Sequence, residues 1–499
     1  MRSVKRMYQR LLDGSSNDEE ELDILHPSTN QTIQRKRPDG SGQQTYTVEE
    51  AVEHMGFGKF QISLTFLLGT FTFSDACEMM LLAVLSPVVR CEWQLSPYQV
   101  ASITTVVFAG MLIGSSVWGT STDRYGRKVI LFLVAVWISY YGYLTAFSPN
   151  YYWLILLRFL VGFGIGGAPQ GFTALSEFLP SKQRAKLLGS TQVFWALGTC
   201  FEVFMAFLVI PTIGWRYLVG FSAIPLTISL LAFRYLPESV RYCMAAGQQD
   251  VAVETLKRIA KENNTTLPPG ELVKSVELPR GKFVDLFTKE YARTTLHLWF
   301  LWFAAAFSYY GLVLVSSEVL EFDSVCGAME EWSKNSKEDG ICFCQLLSKS
   351  DYVTIILTTL GELVAIPMNV LLVDAIGRIK LLVLYFFLFA MFICFLLICS
   401  NRIFLTFTVF GIRAFSSGIF NIVYIYTVEV YPTTVRAVGL GTGSSMARVG
   451  AMITPFVAQV LLVYSVNYAV FVYAGVSVIG LLLAATLPIE TRGRPIKEH

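Results

Sequence analysis

Charged residues are scarce in this sequence. Only 15% of its 499 residues are Asp, Glu, Lys or Arg, whereas 54% are hydrophobic. Soluble domains carry about 25% charged residues, so this chain lacks the polar surface that a water-soluble protein of its size needs. The composition argues against a soluble enzyme, a disordered scaffold and a nucleic-acid binder.

Residue patterns typical of cofactor, metal and catalytic sites are also missing. No Walker loop, H-E-x-x-H motif or nucleophile elbow occurs. A G-x-G-x-x-G pattern at Gly162, Gly164 and Gly167 lies inside an apolar run with no preceding strand, so we interpret it as close helix packing and not as a dinucleotide site. We expect no cofactor, no metal and no catalytic residue. The histidines are too scattered for a metal cluster: His26, His54, His297 and His499.

Long apolar runs, in contrast, are abundant. A helix needs about 20 mostly apolar residues to cross the hydrocarbon core of a bilayer, where every backbone N–H and C=O must be paired internally. The sequence therefore predicts an all-α membrane protein with twelve transmembrane helices. Their predicted ranges are 62–86, 98–118, 129–147, 151–176, 187–210, 216–236, 294–320, 352–373, 380–399, 403–428, 438–463 and 467–486.

The positive charges of the short loops predict the orientation. Lys and Arg are enriched in cytosolic loops, and one set of loops holds nine of them while the opposite set holds three. This bias and the even number of spans predict that both termini are cytosolic. The nine are Arg124, Arg127, Lys128, Lys182, Arg184, Lys186, Arg378, Lys380 and Arg436, and the three are Arg90, Arg216 and Arg402.

The predicted spans divide the chain into five parts. Residues 1–59 are expected to form a cytosolic tail, since they contain no apolar stretch typical of a cleaved secretory signal. A cytosolic linker contains an amphipathic pattern at 249–260 that is typical of a surface helix. The remaining predicted parts are a six-helix bundle at 60–236, the linker at 237–293, a second bundle at 294–487 with a luminal loop at 321–351, and a cytosolic tail at 488–499.

Four cysteines lie on the predicted luminal side, where disulfides persist. They are Cys91, Cys326, Cys342 and Cys344. Four cysteines allow three pairings, between which the sequence does not choose.

The chain contains an internal repeat. The pattern E-x-x-P-x-x-x-R begins at Glu177 and again at Glu429, 252 residues later, and the segment 123–127 recurs as 374–378, 251 residues later. Two six-helix bundles explain this offset. Repeats of this kind place a binding site at the midplane between the halves, where rocking of one bundle against the other alternates access.

The repeated loop motifs fit a gate, because a carboxylate at a helix end can form an ion pair with a loop arginine in one state and lose it in another. The alternative interpretation is that these charges only enforce loop topology. The predicted gating residues are Gly119, Asp123, Arg124, Gly126, Arg127, Glu177 and Arg184 in the first half, and Asp374, Gly377, Arg378, Glu429 and Arg436 in the second.

These motifs resemble those of the major facilitator superfamily. The segment 119–128 resembles its loop signature, 158–167 its fourth-helix motif, and 237–241 and 488–493 the closing motifs of its sugar porters. In the second half the loop signature is degraded, since Val370 stands where the leading glycine would be. The resemblance implies a twelve-helix secondary transporter.

A narrower resemblance points to the synaptic vesicle 2-related group. It rests on 46–53, 91–95, 307–311 and 487–491 and extends over about residues 46–495. It implies a multi-pass protein of a synaptic (cytoplasmic) vesicle or plasma membrane, among relatives whose substrates are poorly defined. Two functions stay open: transport of a small organic solute, and a binding or trafficking scaffold built on a transporter fold.

Ionisable side chains inside the spans are the main functional candidates, since each costs about 2.5–3.5 kcal/mol at the bilayer centre. Asp75 and Glu78 are three residues apart and share a helix face. Adjacent carboxylates disfavour joint ionisation, which is the property that a proton-coupling site needs. The resemblance to proton-coupled sugar porters implies an Asp75–Arg158 pair that loosens on protonation; a permanent structural pair is the alternative.

Other buried groups complete the predicted substrate and proton site. Glu202 and Glu362 either line the cavity or pair with Arg413. Arg448 stands where organic anion transporters carry an arginine, which implies an anionic group on the solute, or else it neutralises a buried acid. The preferred pocket residues are Tyr309, Tyr310, Asn421 and Tyr424, because the seventh and tenth helices line the cavity in the superfamily. We expect a monomer, surrounded by lipid, whose partners are a small solute and protons.

Overall fold

The computed structural model describes residues 35–36, 44–273, 282–320, 347–398 and 401–492. Within these residues, twelve helices are long and apolar enough to span a membrane, which confirms the predicted number. We number them spans 1 to 12. They are Lys59–Trp93, Pro97–Tyr125, Arg127–Ala146, Tyr151–Glu177, Leu187–Val209, Trp215–Tyr235, Ala292–Val319, Lys349–Ile376, Arg378–Phe395, Arg402–Val430, Thr434–Tyr464 and Val466–Ala485.

Several spans are interrupted. Span 4 consists of Tyr151–Ile165 and Pro169–Glu177, because a proline cannot donate the hydrogen bond that would continue the helix. Span 11 contains a π-helical turn, Phe456–Leu461, between Thr433–Pro455 and Leu462–Tyr464. Span 5 is preceded by the helix Ser181–Ser190 and continues as Gln192–Val209, and span 6 consists of Trp215–Ser222, Ile224–Ala232 and the 3-10 turn Phe233–Tyr235.

The spans run alternately between two faces. We call the side with the repeated loop motifs the motif face. The other side, where spans 1, 3, 5, 7, 9 and 11 end, is the opposite face. Spans 2 and 10 begin at the opposite face with side-chain caps: Ser96 accepts a hydrogen bond from the Gln99 backbone N–H, and Asn401 accepts one from that of Phe404. These caps satisfy donors that would otherwise be orphaned at the helix starts.

Spans 1 and 7 occupy the centre of the molecule. In span 1, 89% of the most apolar window is buried by protein, and in span 7 it is 78%, compared with 33% in spans 9 and 12. Spans 1, 2 and 5 of the first bundle contact spans 7, 11 and 8 of the second, respectively. Polar residues on the facing sides of these six helices are therefore the candidates for a binding site between the bundles.

Glycines allow spans 2 and 4 to approach closely. A Cβ atom added at Gly114 would lie 2.0 Å from the Phe163 carbonyl oxygen, and one at Gly162 would lie 2.1 Å from that of Val107. This agrees with the packing interpretation of the G-x-G-x-x-G pattern.

The polar segments also form structure outside the spans. A three-stranded sheet joins β1 (Arg35–Lys36), β2 (Gln44–Tyr46) and β3 (Glu271–Leu272), so that residues before the first bundle pair with the linker. β1 and β2 are antiparallel, with Arg35 opposite Thr45, and β2 and β3 are parallel, with Tyr46 opposite Leu272. The remaining elements are the helices Val48–Met55, Val240–Ala245 and Gln249–Glu262 and the 3-10 helix Phe283–Phe287. The helix Gln249–Glu262 lies where the amphipathic pattern predicts one, with Ala252, Leu256 and Ile259 buried.

Candidate functional site

An arginine at the start of span 3 organises the motif face of the first bundle. The Arg127 guanidinium lies 2.6 Å from Glu177, and Asp123 lies 3.9 Å from it. The Arg127 backbone N–H donates to Glu238 at 2.8 Å, so that this carboxylate caps the helix N-terminus. Ser239 donates to Glu177 and completes the cluster.

The second bundle repeats this cluster. Arg378 lies 2.9 Å from Glu429 and 3.1 Å from Asp374, and its backbone N–H donates to Glu490 at 2.9 Å. Thr491 donates to Glu429 at 2.6 Å, as Ser239 does to Glu177. The internal repeat is thus a repeat of contacts, and each ion pair lies within one bundle.

Sequence reasoning missed Glu238 and Glu490 as members of these clusters. Both lie in the closing motifs, and their separation of 252 residues matches that of Glu177 and Glu429, which is the signal that could have found them. They also explain the glycines at both loops. Gly126 has φ +95° and Gly377 has φ +98°, and an added Cβ would lie 2.5 Å and 3.0 Å from the Glu238 and Glu490 carboxylates.

The other predicted gating residues lie around the clusters. Arg184 donates to the Leu179 carbonyl at 3.1 Å, and Arg436 donates to the equivalent Tyr431 carbonyl at 3.3 Å. The Arg124 carbonyl accepts a hydrogen bond from Tyr242 at 3.1 Å. At Gly119 an added Cβ would meet only the end of Gln170, at 3.8 Å, so no close approach requires glycine there.

Arg158 is fully buried in the first bundle, and its partner differs from the one expected. It forms an ion pair with Glu78 at 2.7 Å, not with Asp75. The expectation of an Asp75–Arg158 pair is therefore wrong in this structure. Asp75 and Glu78 share a helix face, but only Glu78 reaches the guanidinium.

Glu202 is the second carboxylate near this pair. It is fully buried in span 5, accepts a hydrogen bond from Ser222 at 2.7 Å, and interacts electrostatically with Glu78 and Arg158. Its other oxygen, Oε2, has no hydrogen-bond partner. Glu78, Arg158 and Glu202 form what we call the Arg158 cluster: one arginine paired with Glu78 and influenced electrostatically by Glu202.

A second buried ion pair lies in the second bundle, and hydrogen bonds link it to the first. Arg413 lies 3.3 Å from Glu362, and Tyr309 donates to the same carboxylate at 3.1 Å. Trp195 of the first bundle donates to the Tyr309 hydroxyl at 2.7 Å, and Thr199 donates to Glu362 at 3.5 Å. Of the two acids that could pair with Arg413, the structure thus selects Glu362. We call these five residues the central network.

Asp75, Tyr310 and Arg448 lie together at the bundle interface. Asp75 interacts electrostatically with Arg448, and Tyr310 interacts with both. Arg448 is buried, and its Nη1 donates to the Ser444 side chain at 2.9 Å.

Asn421 and Tyr424 lie outside these groups. Asn421 is half-buried, and Tyr424 is partly exposed with its ring 6.1 Å from that of Trp302. Asn421 follows Arg413 by eight residues, which places it about 12 Å nearer the motif face along the helix axis. The structure thus brings Tyr309 and Tyr310 into the centre but leaves Asn421 and Tyr424 at the approach to it.

Sequence reasoning also missed an ion pair toward the opposite face. Arg90 near the end of span 1 binds Glu318 near the end of span 7, and Glu318 is fully buried. The sequence-based prediction assigned Arg90 to a loop because the predicted span 1 ended at residue 86. The helix continues to Trp93 and includes Arg90. A carboxylate inside an apolar run was the available signal for Glu318.

The predicted disulfide set is only partly within the described residues. Cys91 is disulfide-bonded. Cys326, Cys342 and Cys344 lie outside the described residues, as do the two ends of the chain at 1–34 and 493–499. In the described part of the chain, no group of His, Cys, Asp and Glu could hold a metal ion.

Comparison with known proteins agrees with this architecture. Residues 37–320 match the family described as "Sugar (and other) transporter", and residues 350–498 match that described as "Major Facilitator Superfamily". The synaptic vesicle 2-related protein of Pongo abelii is 48% identical over 456 residues, which cover 91% of this chain and 83% of that protein. SVOPL of Mus musculus is 44% identical over 462 residues, 91% of this chain and 94% of that protein.

A solved structure shares the fold. The inward open xylose transporter XylE from E. coli has a TM-score of 0.65 at 15% identity, with 88% of this chain and 98% of that chain covered. At 15% identity this likeness shows only that the two proteins share a fold. Membership of a family is shown instead by the matching family models and by the relatives of 44–48% identity. The chain therefore belongs to the major facilitator superfamily, a class of membrane transporters and not of enzymes.

Proposed function

We propose that the protein is a proton-coupled secondary transporter that moves a small organic solute by alternating access. The central network carries this proposal. Its ion pair, Arg413–Glu362, lies in the second bundle, and Trp195 and Thr199 of the first bundle donate hydrogen bonds to Tyr309 and Glu362, so these contacts change whenever the bundles rock. A protein that served only as a scaffold would gain nothing from charged groups at a moving interface, where each is costly to bury.

The motif-face clusters support rocking of the bundles as rigid bodies. Each cluster ties the ends of three or more helices of one bundle together through buried or half-buried ion pairs. Between the bundles, the equivalent residues Arg184 and Arg436 repel each other electrostatically. This repulsion favours separation of the bundles at the motif face.

Contacts toward the opposite face favour closure there. The Arg90–Glu318 ion pair joins span 1 to span 7, and Thr105 of span 2 donates to the Met452 carbonyl of span 11 at 3.1 Å. The described conformation is therefore one in which the bundles are fastened toward the opposite face. With the motif face in the cytosol, as the loop charges predict, this fastening favours opening of the solute site toward the cytosol.

The Arg158 cluster supports coupling to protons. With both acids ionised, Glu78, Glu202 and Arg158 carry a net charge of −1 in an enclosed site, and one added proton makes the cluster neutral, which lowers the cost of burial. A proton that enters at Glu78 removes the charge that holds Arg158, and the guanidinium can then pair with the free Oε2 of Glu202. In this proposal the proton role expected for Asp75 therefore passes to Glu78.

The membrane and the assembly belong to the same proposal. The relatives named synaptic vesicle 2-related proteins favour a vesicle membrane. The loop charges favour both termini in the cytosol. Each bundle interface needed for alternating access lies within one chain, so a monomer suffices.

The test is solute accumulation by the full chain in proteoliposomes, screened against a metabolite library with and without a pH gradient. We expect the wild type to concentrate a solute when protons flow down their gradient. Glu78→Gln should keep solute exchange across the membrane but lose accumulation driven by pH. The matched control is Glu262→Gln, which changes an exposed carboxylate in the linker helix.

Two results would contradict the proposal. Full pH-driven accumulation by Glu78→Gln would remove the Arg158 cluster from the mechanism. No accumulation of any solute under any gradient would favour the scaffold function instead.

A further inference from the structure

Two groups of opposite charge remain without an ion-pair partner at the bundle interface. Asp75 lies on span 1 and Arg448 on span 11, and among the residues that the structure describes neither forms an ion pair within 4.0 Å. The other arginines buried within the spans bind carboxylates: Arg90 binds Glu318, Arg158 binds Glu78 and Arg413 binds Glu362.

Specific atoms of both groups are buried and unpaired. Oδ1 of Asp75 and Nε of Arg448 have no hydrogen-bond partner, although neither is accessible to solvent. The Arg448 side chain is held in place by Ser444, and the residue is only 9% exposed. Asp75 is half-buried and interacts with Arg448 only through space, so neither charge has the direct ionic contact that buried charges require. A third component that contacts both groups supplies it.

The two groups lie at similar depth. Arg448 is 14 residues from the start of span 11 and Asp75 is 16 residues from the start of span 1, and both spans start at the motif face. At 1.5 Å per residue, both lie roughly 21–24 Å along their helices. Tyr310 of span 7, a helix that packs against both spans 1 and 11, lies beside both charges.

We propose that Asp75 and Arg448 select a zwitterionic solute. Its cationic group pairs with Asp75, its anionic group pairs with Arg448, and the Tyr310 hydroxyl donates to the anionic group. A solute with a single charge would leave one of the two groups uncompensated, and a neutral sugar would leave both. This inference rests on the proposed transport function, because it places the solute in the same cleft between the bundles.

The binding test uses the purified full chain and ω-amino carboxylates of three to six carbons as probes. The matching n-alkylamines and n-alkanoates carry one charge each and serve as comparison ligands. Affinities come from the ligand-dependent rise in unfolding temperature. We expect at least one ω-amino carboxylate to bind about 10- to 100-fold more tightly than either single-charge analogue, as for the gain of a hydrogen bond to a charged group.

Variants make the pattern specific. Asp75→Asn should remove the advantage of the ω-amino carboxylate over the alkanoate, and Arg448→Gln should remove its advantage over the alkylamine. Loss of folding would not produce this reciprocal pattern. Asp75→Glu keeps the charge but extends the side chain by one methylene, so the preferred probe should become one carbon shorter. Arg293→Gln, which changes an exposed arginine, is the control.

The inference is overturned if no probe binds, if a single-charge analogue binds as tightly, or if both variants bind like the wild type. Uptake of the same labelled probes into proteoliposomes separates this inference from the transport proposal. Reciprocal binding without uptake would refute transport but leave the zwitterion site standing. Uptake of a solute that neither variant affects would refute the site but leave transport standing.

Discussion

The Arg90–Glu318 ion pair should control which side of the protein is open, and Glu318→Gln tests this. The pair joins the two bundles, and the Glu318 side chain has no exposed surface. Glutamine keeps the shape but removes the charge, so the closed contact loses about 1.5–3 kcal/mol, the contribution of a hydrogen bond to a charged group. Because each 1.4 kcal/mol is about tenfold in an equilibrium constant, the ratio of open to closed molecules at this face should rise about 10- to 100-fold.

The assay is the distance distribution between spin labels at Tyr98 and Tyr468. These exposed residues begin spans 2 and 12 on the opposite face, one in each bundle. We expect a longer-distance population to grow in Glu318→Gln. The control is Arg402→Gln, which breaks an ion pair with Asp351 inside the second bundle on the same face and should leave the distances unchanged. An unchanged distribution in folded Glu318→Gln would refute the reasoning.

Three further predictions concern stability, measured as unfolding temperature in detergent. Glu238→Gln weakens the cap on the Arg127 N–H and should cost about 0.5–2 kcal/mol; an unchanged unfolding temperature would contradict the capping role. Gly126→Ala should destabilise by about 1–3 kcal/mol because φ is +95° and the new Cβ meets the Glu238 carboxylate, whereas Gly220→Ala, with nothing within 4 Å, should not; equal effects would speak against backbone strain. Gln459→Met should stabilise by about 1–3 kcal/mol, since this fully buried amide has no partner for either polar atom; a lower unfolding temperature would show that the amide is satisfied in the protein.

The spans and the repeat were predictable because each depends on residues close together in the sequence. An apolar run of about 20 residues must be helical in lipid, so the number of spans followed from hydropathy. The predicted ends were less accurate. The helix of span 1 extends to Trp93, so Arg90 lies inside the helix and not in the loop to which it was assigned. The length of an apolar run depends on how much of the helix faces lipid. The helix itself can continue beyond that run where other parts of the protein pair with its polar side chains, as Glu318 does with Arg90.

The pairing of buried charges could not be predicted in this way. Asp75 and Glu78 are one helical turn apart with the same charge, so sequence spacing does not say which of them meets Arg158. The packing of spans 4 and 5 on span 1 decides it, and places Glu78 within 2.7 Å of the guanidinium. The same applies to Arg413, whose two possible acids lie on spans 5 and 8.

The sequence by itself therefore determined the fold class, the twelve spans and the two related bundles, because backbone hydrogen bonding in lipid leaves little choice of local structure. It also indicated most of the buried charged residues, although not Arg90 and Glu318. Only the tertiary structure decided how those charges combine: Glu78 with Arg158, Glu362 with Arg413 and Glu318 with Arg90, while Asp75 and Arg448 have no ion-pair partner in the described part of the chain. Electrostatic attraction acts over a few ångströms between helices that are distant in the chain, and such distances exist only after the bundles have packed.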